Sequence, residues 1–204
     1  MGKSYLTSAF EDTVSGRFPE KARALGEAMQ RRLEKLRAEN AGASREKRRH
    51  LESQILPGIA VYETLQTVMP KDEALSTVHG YVEKRARRLK GIFLRLMYIP
   101  GFYRRVPGIF SRQTPKLFGP SAGFAATDIQ TTDGVWRINM TKCPYYDACV
   151  QYGCPELCHC FCDSDDITYD GLHPGLVWHR TKTLGRGDDC CDFCLKLAGK
   201  KSAG

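Results

Sequence analysis

Apolar residues recur at three- and four-residue steps through the first half of the chain, then at shorter steps near its end. Between residues 18 and 39, Ala22, Leu25, Met29, Leu33 and Leu36 mark one face of a helix. The stretch AENAGAS interrupts it, with Asn40 and Gly42 as stop signals and Ser44 as an N-cap for the next helix. That helix begins basic (REKRRH) and turns apolar (ILPGIAVYETLQTVM). Pro57 and Gly58 are expected to kink or split it, because proline removes a backbone donor. Asp72 and Glu73, following Pro70, open a third helix that runs toward Tyr98. Its stripe of Leu89, Ile92, Phe93, Leu96 and Met97 is read as core-facing.

From about residue 100 to 122, prolines and glycines predict a connector of short turns. Beyond it the pattern changes. FAATDIQT and VWRINMT have strand character, joined by a turn containing Asp133-Gly134. Two short helical segments follow, PYYDACVQYG and PELCHCFCDSDD, and then two more strands, GLVWHRTKT and CCDFCLKL, with Gly185 and Gly187 between them. The expected fold is α+β. A helical N-terminal half packs on a C-terminal four-stranded antiparallel sheet with two inserted short helices. Residues 1–120 form the helical region with its connector and 121–204 a cysteine-rich α+β region, expected together to make one compact structural unit.

Charge follows the same division. Residues 1–120 hold 23 of the 31 Lys and Arg but only 12 of the 23 Asp and Glu. A basic helical half raises nucleic acid or an anionic membrane face as partners, the latter through residues 84–106. The basic residues carry no nucleic-acid motif, so a solvated helical surface is the reading adopted. No apolar run is long enough to span a bilayer. The first residues lack the apolar stretch of a signal peptide, so a cytoplasmic setting is expected.

All nine cysteines fall after residue 142. In a reducing compartment such clustering favours metal binding or catalysis over disulfides. Only Cys191 and Cys194 have C-x2-C spacing, and a strand would point them to opposite faces. Ferredoxin-type runs are absent. On a helix, Cys158 and Cys162 share a face and Asp165 lies one turn on. Cys143 at a strand end and Cys190 or Cys191 at another strand start could join them. Cys149, Cys154, Cys160 and Cys194 read as small core fillers. For Cys143, Cys162 and Cys191, function and simple burial both stand open. Arg180 could clamp a carboxylate with its planar fork, or pair across strands with Asp192.

NMTKCPYYDACVQYGCPELCHCFCDSDD and HRTKTLGRGDDCCDFCLK, in that order, resemble the L-2-amino-thiazoline-4-carboxylic acid hydrolase family. The resemblance rests on Thr141 and Cys143, Cys162 and Asp165, Arg180, Thr181, Thr183 and Leu184, Gly187, and Cys191, Asp192 and Phe193, within about residues 122–197. Cys194 departs from it, standing where a basic residue is expected. The resemblance implies ring-opening hydrolysis of a cyclic amidine-type substrate, a sulfur-containing amino-acid derivative. It implies that Cys143, Cys162 and Cys191 act as thiolates at one site, either ligating a metal or with one as nucleophile. Asp165 would be general base or further ligand, and Arg180 with His179 would bind substrate. Cys158 and His159 are alternative extra ligands; zinc is the metal expected first and an iron–sulfur cluster second. The rival readings are a non-catalytic metal- or iron–sulfur-binding module and a small-molecule sensor domain related to the 4-vinyl reductase type.

Overall fold

A computed structural model describes residues 4–132 and 134–199. Among the described residues six α-helices come first, followed by two strands, two helices and two further strands. The fold is α+β, with N-terminal helices and a four-stranded antiparallel sheet toward the C-terminus.

Helix α1 (Tyr5–Arg17) was not foreseen. It carries few large apolar residues, but Leu6, Phe10 and Val14 lie four apart and are buried. Ser4 caps it, its Oγ accepting from Thr7 N at 3.2 Å. Helix α2 (Ala22–Glu39) buries the foreseen face of Leu25, Met29, Leu33 and Leu36. Ser44 caps α3 (Arg45–His50), accepting from Lys47 N at 3.1 Å.

Pro57 does not split the second helix. A wider π turn over Leu51–Ile55 joins α3 to α4 (Leu56–Leu65), and Leu56 N–H reaches back to Leu51 O. The widened turn makes room for a proline ring that would strike the carbonyl four residues earlier in a regular helix. Gly58 has a different use. A Cβ there would lie 2.7 Å from the Phe161 ring, so its absence admits that ring against α4.

Helix α5 (Lys71–Met97) buries Ala74, Val78, Val82 and Ala86, a small-residue stripe that lets α8 approach closely. The expected apolar stripe further along is only half realised. Phe93 and Met97 pack inward, whereas Ile92 is 55% exposed. The Pro/Gly-rich stretch after it is not a string of turns. Pro107 sits in the first turn of α6 (Val106–Leu117), where a missing N–H costs nothing, and Pro115 falls in the last turn.

Strand β1 (Ala125–Gln130) pairs with β2 (Val135–Lys142), β2 with β4 (Cys191–Leu197), and β4 with β3 (Leu176–His179), giving the order β1-β2-β4-β3. Of the expected Asp133-Gly134 turn, Asp133 lies outside the described residues; Gly134 has φ +77°. Between β2 and β3 come α7 (Pro144–Gln151) and α8 (Cys158–Tyr169). The register sets Met140 opposite Cys191 and His179 opposite Cys194.

The apolar side chains gather in two clusters. One surrounds α4 and takes in α1, α2, the first half of α5 and the inner faces of α7 and α8. The other lies on the inner face of the sheet, from Trp136, Ile138 and Met140 to Trp178 and Leu195, beneath α6. No helix among the described residues is long and apolar enough to cross a membrane.

Candidate active site

A cavity of about 600 Å³ opens where the sheet's inner face meets α3, α5, α6 and α8. Its walls are largely aromatic. Phe110, Trp136, Phe193, Trp178 and Tyr169 touch in a closed circuit, with centroid separations of 5.0 to 6.3 Å. His50, Phe118, Phe124, Tyr145 and Phe161 make a second aromatic group.

Five of the residues singled out in the sequence face this cavity: Cys143, Cys162, Asp165, Arg180 and Cys191. They arrive from four elements. Cys143 is the N-cap of α7, just beyond β2. Cys162 and Asp165 lie one turn apart on α8. Cys191 opens β4, directly opposite Met140 near the end of β2. Arg180 follows β3, two positions after Trp178, and therefore turns inward with it. The same alternation turns His179 outward, so it is exposed and takes no part in the cavity wall. His159 is absent from the wall as well, and Cys158 is buried one step behind it, its Sγ 3.8 Å from Cys162 Sγ.

Arg180 is the most constrained group. Its side chain is 2% exposed. Nη2 donates to Asp166 Oδ2 at 2.5 Å and to Cys162 O at 2.9 Å. Trp178 Nε1 donates to the other oxygen of Asp166 at 2.8 Å, so Asp166 is fixed from two sides. The Phe193 ring lies 5.3 Å from the guanidinium carbon. Nη1 is left buried, 3.6 Å from Asp165 Oδ2 and with no hydrogen bond among the described residues. A buried donor in that state costs roughly 1–3 kcal/mol unless something arrives to accept from it. The expected alternative partner, Asp192, is occupied elsewhere by Thr181 and Lys182.

Protonation follows from enclosure. Asp165 retains 40% of its side-chain surface, but that surface looks into the cavity and protein surrounds the carboxyl. Desolvation pushes it up to about 7, against the pull of Arg180. Burial likewise pushes Cys143 up to about 12, although N–H groups of Tyr145 and Tyr146 favour its anion. Cys191 rises to about 11 by burial, with Leu184 N–H 3.3 Å from the sulfur opposing. Cys162 is raised most, through its contact with Cys158 and then through burial. Burial thus favours the neutral thiol over the thiolate at each of these sulfurs.

The metal expectation finds no support in the geometry. Among the described residues no group of three His, Cys, Asp or Glu side chains is placed to hold an ion, whether at Cys143, Cys162 and Cys191 or with Cys158 and His159 added. All nine cysteines are free. The Leu184–Arg186 turn lies over the sulfurs instead: a Cβ on Gly185 would come within 3.1 Å of Cys162 Sγ and 3.3 Å of Cys158 Sγ.

The profile of the L-2-amino-thiazoline-4-carboxylic acid hydrolase family matches residues 48–195. The chain belongs to that family. The match begins in α3 and ends in β4, so it takes in most of the elements that frame the cavity but not α1, which contributes Tyr5. No curated protein matches the chain closely enough to name as a relative.

Several features of this family member's cavity escaped the sequence reading. Asp166 and Trp178 orient Arg180, and the spacing Trp-x-Arg on an extended segment was the available signal. At the other aromatic group, His50 Nε2–H donates to Leu117 O at 2.7 Å, which fixes the tautomer. Nδ1 then accepts from Tyr145 Oη–H at 3.3 Å, and Gln54 Nε2 donates to the same Tyr145 oxygen at 3.3 Å. Burial lowers the His50 pKa and keeps this form neutral. No local motif announces a contact between α3 and α7.

Proposed function

We propose that the cavity carries out ring-opening hydrolysis of a carboxylate-bearing cyclic amidine of the thiazoline type. The observation that carries this reading is Arg180 Nη1, a buried donor without a hydrogen bond among the described residues, beside a carboxyl poised near neutrality. A substrate carboxylate would accept from Nη1, while Asp166 and Trp178 hold the guanidinium still.

Binding at Nη1 sets the ring beside Asp165. In its ionised form Asp165 removes a proton from water as the oxygen adds to the carbon between ring sulfur and ring nitrogen. The tetrahedral adduct collapses with cleavage of one ring bond, its hydroxyl proton passing to the ring nitrogen as the C=O forms. The proton held by Asp165 passes to the leaving sulfur or nitrogen, and the product is a carbamoyl-cysteine. Water is consumed and nothing else is needed. A base that titrates near 7 can both take and return the proton at neutral pH. The neutral thiols of Cys143, Cys162 and Cys191 complete the wall and offer S–H donors to the departing atom.

The test is turnover of L-2-amino-thiazoline-4-carboxylate by the unaltered protein and by Asp165→Asn. The substitution is expected to lower kcat by about 100-fold or more with the circular dichroism spectrum unchanged. Undiminished kcat in a folded Asp165→Asn protein would overturn the assignment. Cys162→Ala separates the thiols from the carboxyl: unchanged turnover there removes Cys162 from the chemistry.

A further inference from the structure

The cavity is far larger than the ring whose hydrolysis the family is named for. An amino-thiazoline carboxylate occupies on the order of 150 Å³ at ordinary organic packing density. That is roughly a quarter of the 600 Å³ enclosed here. Cavities of about 300–1,000 Å³ normally enclose most of a drug-sized ligand. The unfilled remainder is bounded by two groups of aromatic rings, with Phe118 and Phe124 meeting at 5.2 Å in one and Phe110 and Trp136 at 5.0 Å in the other. Polar side chains border it too, among them Glu46, Arg49, Gln54, Arg85 and Lys116. Besides Arg180 Nη1, Trp136 Nε1 is buried in the wall without a hydrogen-bond partner among the described residues.

We infer that the ligand of this member is an amphipathic carboxylate: one acid group held at Arg180, joined to a bulky aromatic body that fills the space between the aromatic walls. The inference rests on the proposed carboxylate clamp and deepens it, because it names what the rest of the molecule must be. A body of that kind would exchange water contact for ring faces and edges over much of its surface. Its hydrogen-bond acceptor, if placed beside β2, would meet Trp136 Nε1.

The chain's two tryptophans, Trp136 and Trp178, both stand in the cavity wall, so their fluorescence reports occupancy without turnover. Three probes decide the matter: L-2-amino-thiazoline-4-carboxylate itself, the same compound carrying an aryl group on its exocyclic nitrogen, and the aryl compound without its carboxylate. The aryl carboxylate is expected to bind at least tenfold tighter than the bare ring, and loss of the carboxylate to weaken it at least tenfold. Phe118→Ala, at a partly exposed wall position, is expected to weaken the aryl carboxylate about fivefold and leave the bare ring unchanged. Equal or weaker binding of the aryl carboxylate would overturn the inference, even if the bare ring is hydrolysed. Tight binding of the aryl carboxylate with no ring opening of any probe would sustain it and remove the hydrolytic reading instead.

Discussion

The two apolar clusters of this protein, one mainly aliphatic and the other rich in aromatic rings, are put to opposite use. Around α4 the packing is closed. Nine of that helix's ten residues are buried, and its neighbours fill the space to contact. On the sheet side, rings meet edge to face around open volume. Helix α8 belongs to both. Cys158 and Cys160 sink into the helical cluster, while Cys162, Asp165 and Tyr169 face the cavity. The closed cluster fixes where α8 lies, and the open one uses what α8 presents.

Side-chain truncation should separate the two regions. Leu36→Ala, at a fully buried site in the closed cluster, is expected to cost about 3 kcal/mol in urea unfolding, through lost burial and a new void. Phe110→Ala removes more atoms from the cavity wall. It is expected to cost only about 1.5 kcal/mol, because that ring already borders empty space. Equal losses at the two positions would mean that the cavity closes up in solution and that the contrast is wrong. A further expectation concerns pH. Asp165 holds its proton up to about 7 in the folded chain and gives it up at an ordinary carboxylate value when unfolded. The folded state therefore binds more protons between about pH 4 and about 7, and stability falls as pH rises through that window. Asp165→Asn should flatten this part of the profile. An unchanged slope would show that the carboxyl reaches bulk water.

Much of this was legible from residue spacing. Period-two alternation placed the four strands, and three- and four-residue steps found α2 and α5. The spacing of Cys162 and Asp165 gave a shared helical face, and both do line one cavity with Cys143, Cys191 and Arg180. Where spacing and residue character competed, character misled. His179 looked chemical, yet its strand position faces away from the cavity. Pro57 and Pro115 looked like breaks, yet one is absorbed by a π turn and the other sits at a helix end. The cysteines were legible only as a cluster. Their protonation depends on enclosure by residues distant in the chain, which no window of sequence contains. The cavity was illegible for the same reason. It exists because α6 stands off the sheet on aromatic rings, and distances between elements are not written in either one alone.

Gly58 shows how fine that control is. The edge of the Phe161 ring occupies the place where any other residue would carry its first side-chain carbon. Phe161 immediately precedes Cys162 and lies four residues before Asp165 on the same rigid helix. The alignment of the cavity's carboxyl is thus calibrated by a hydrogen atom on α4, and a single methyl group there would throw the instrument out of true.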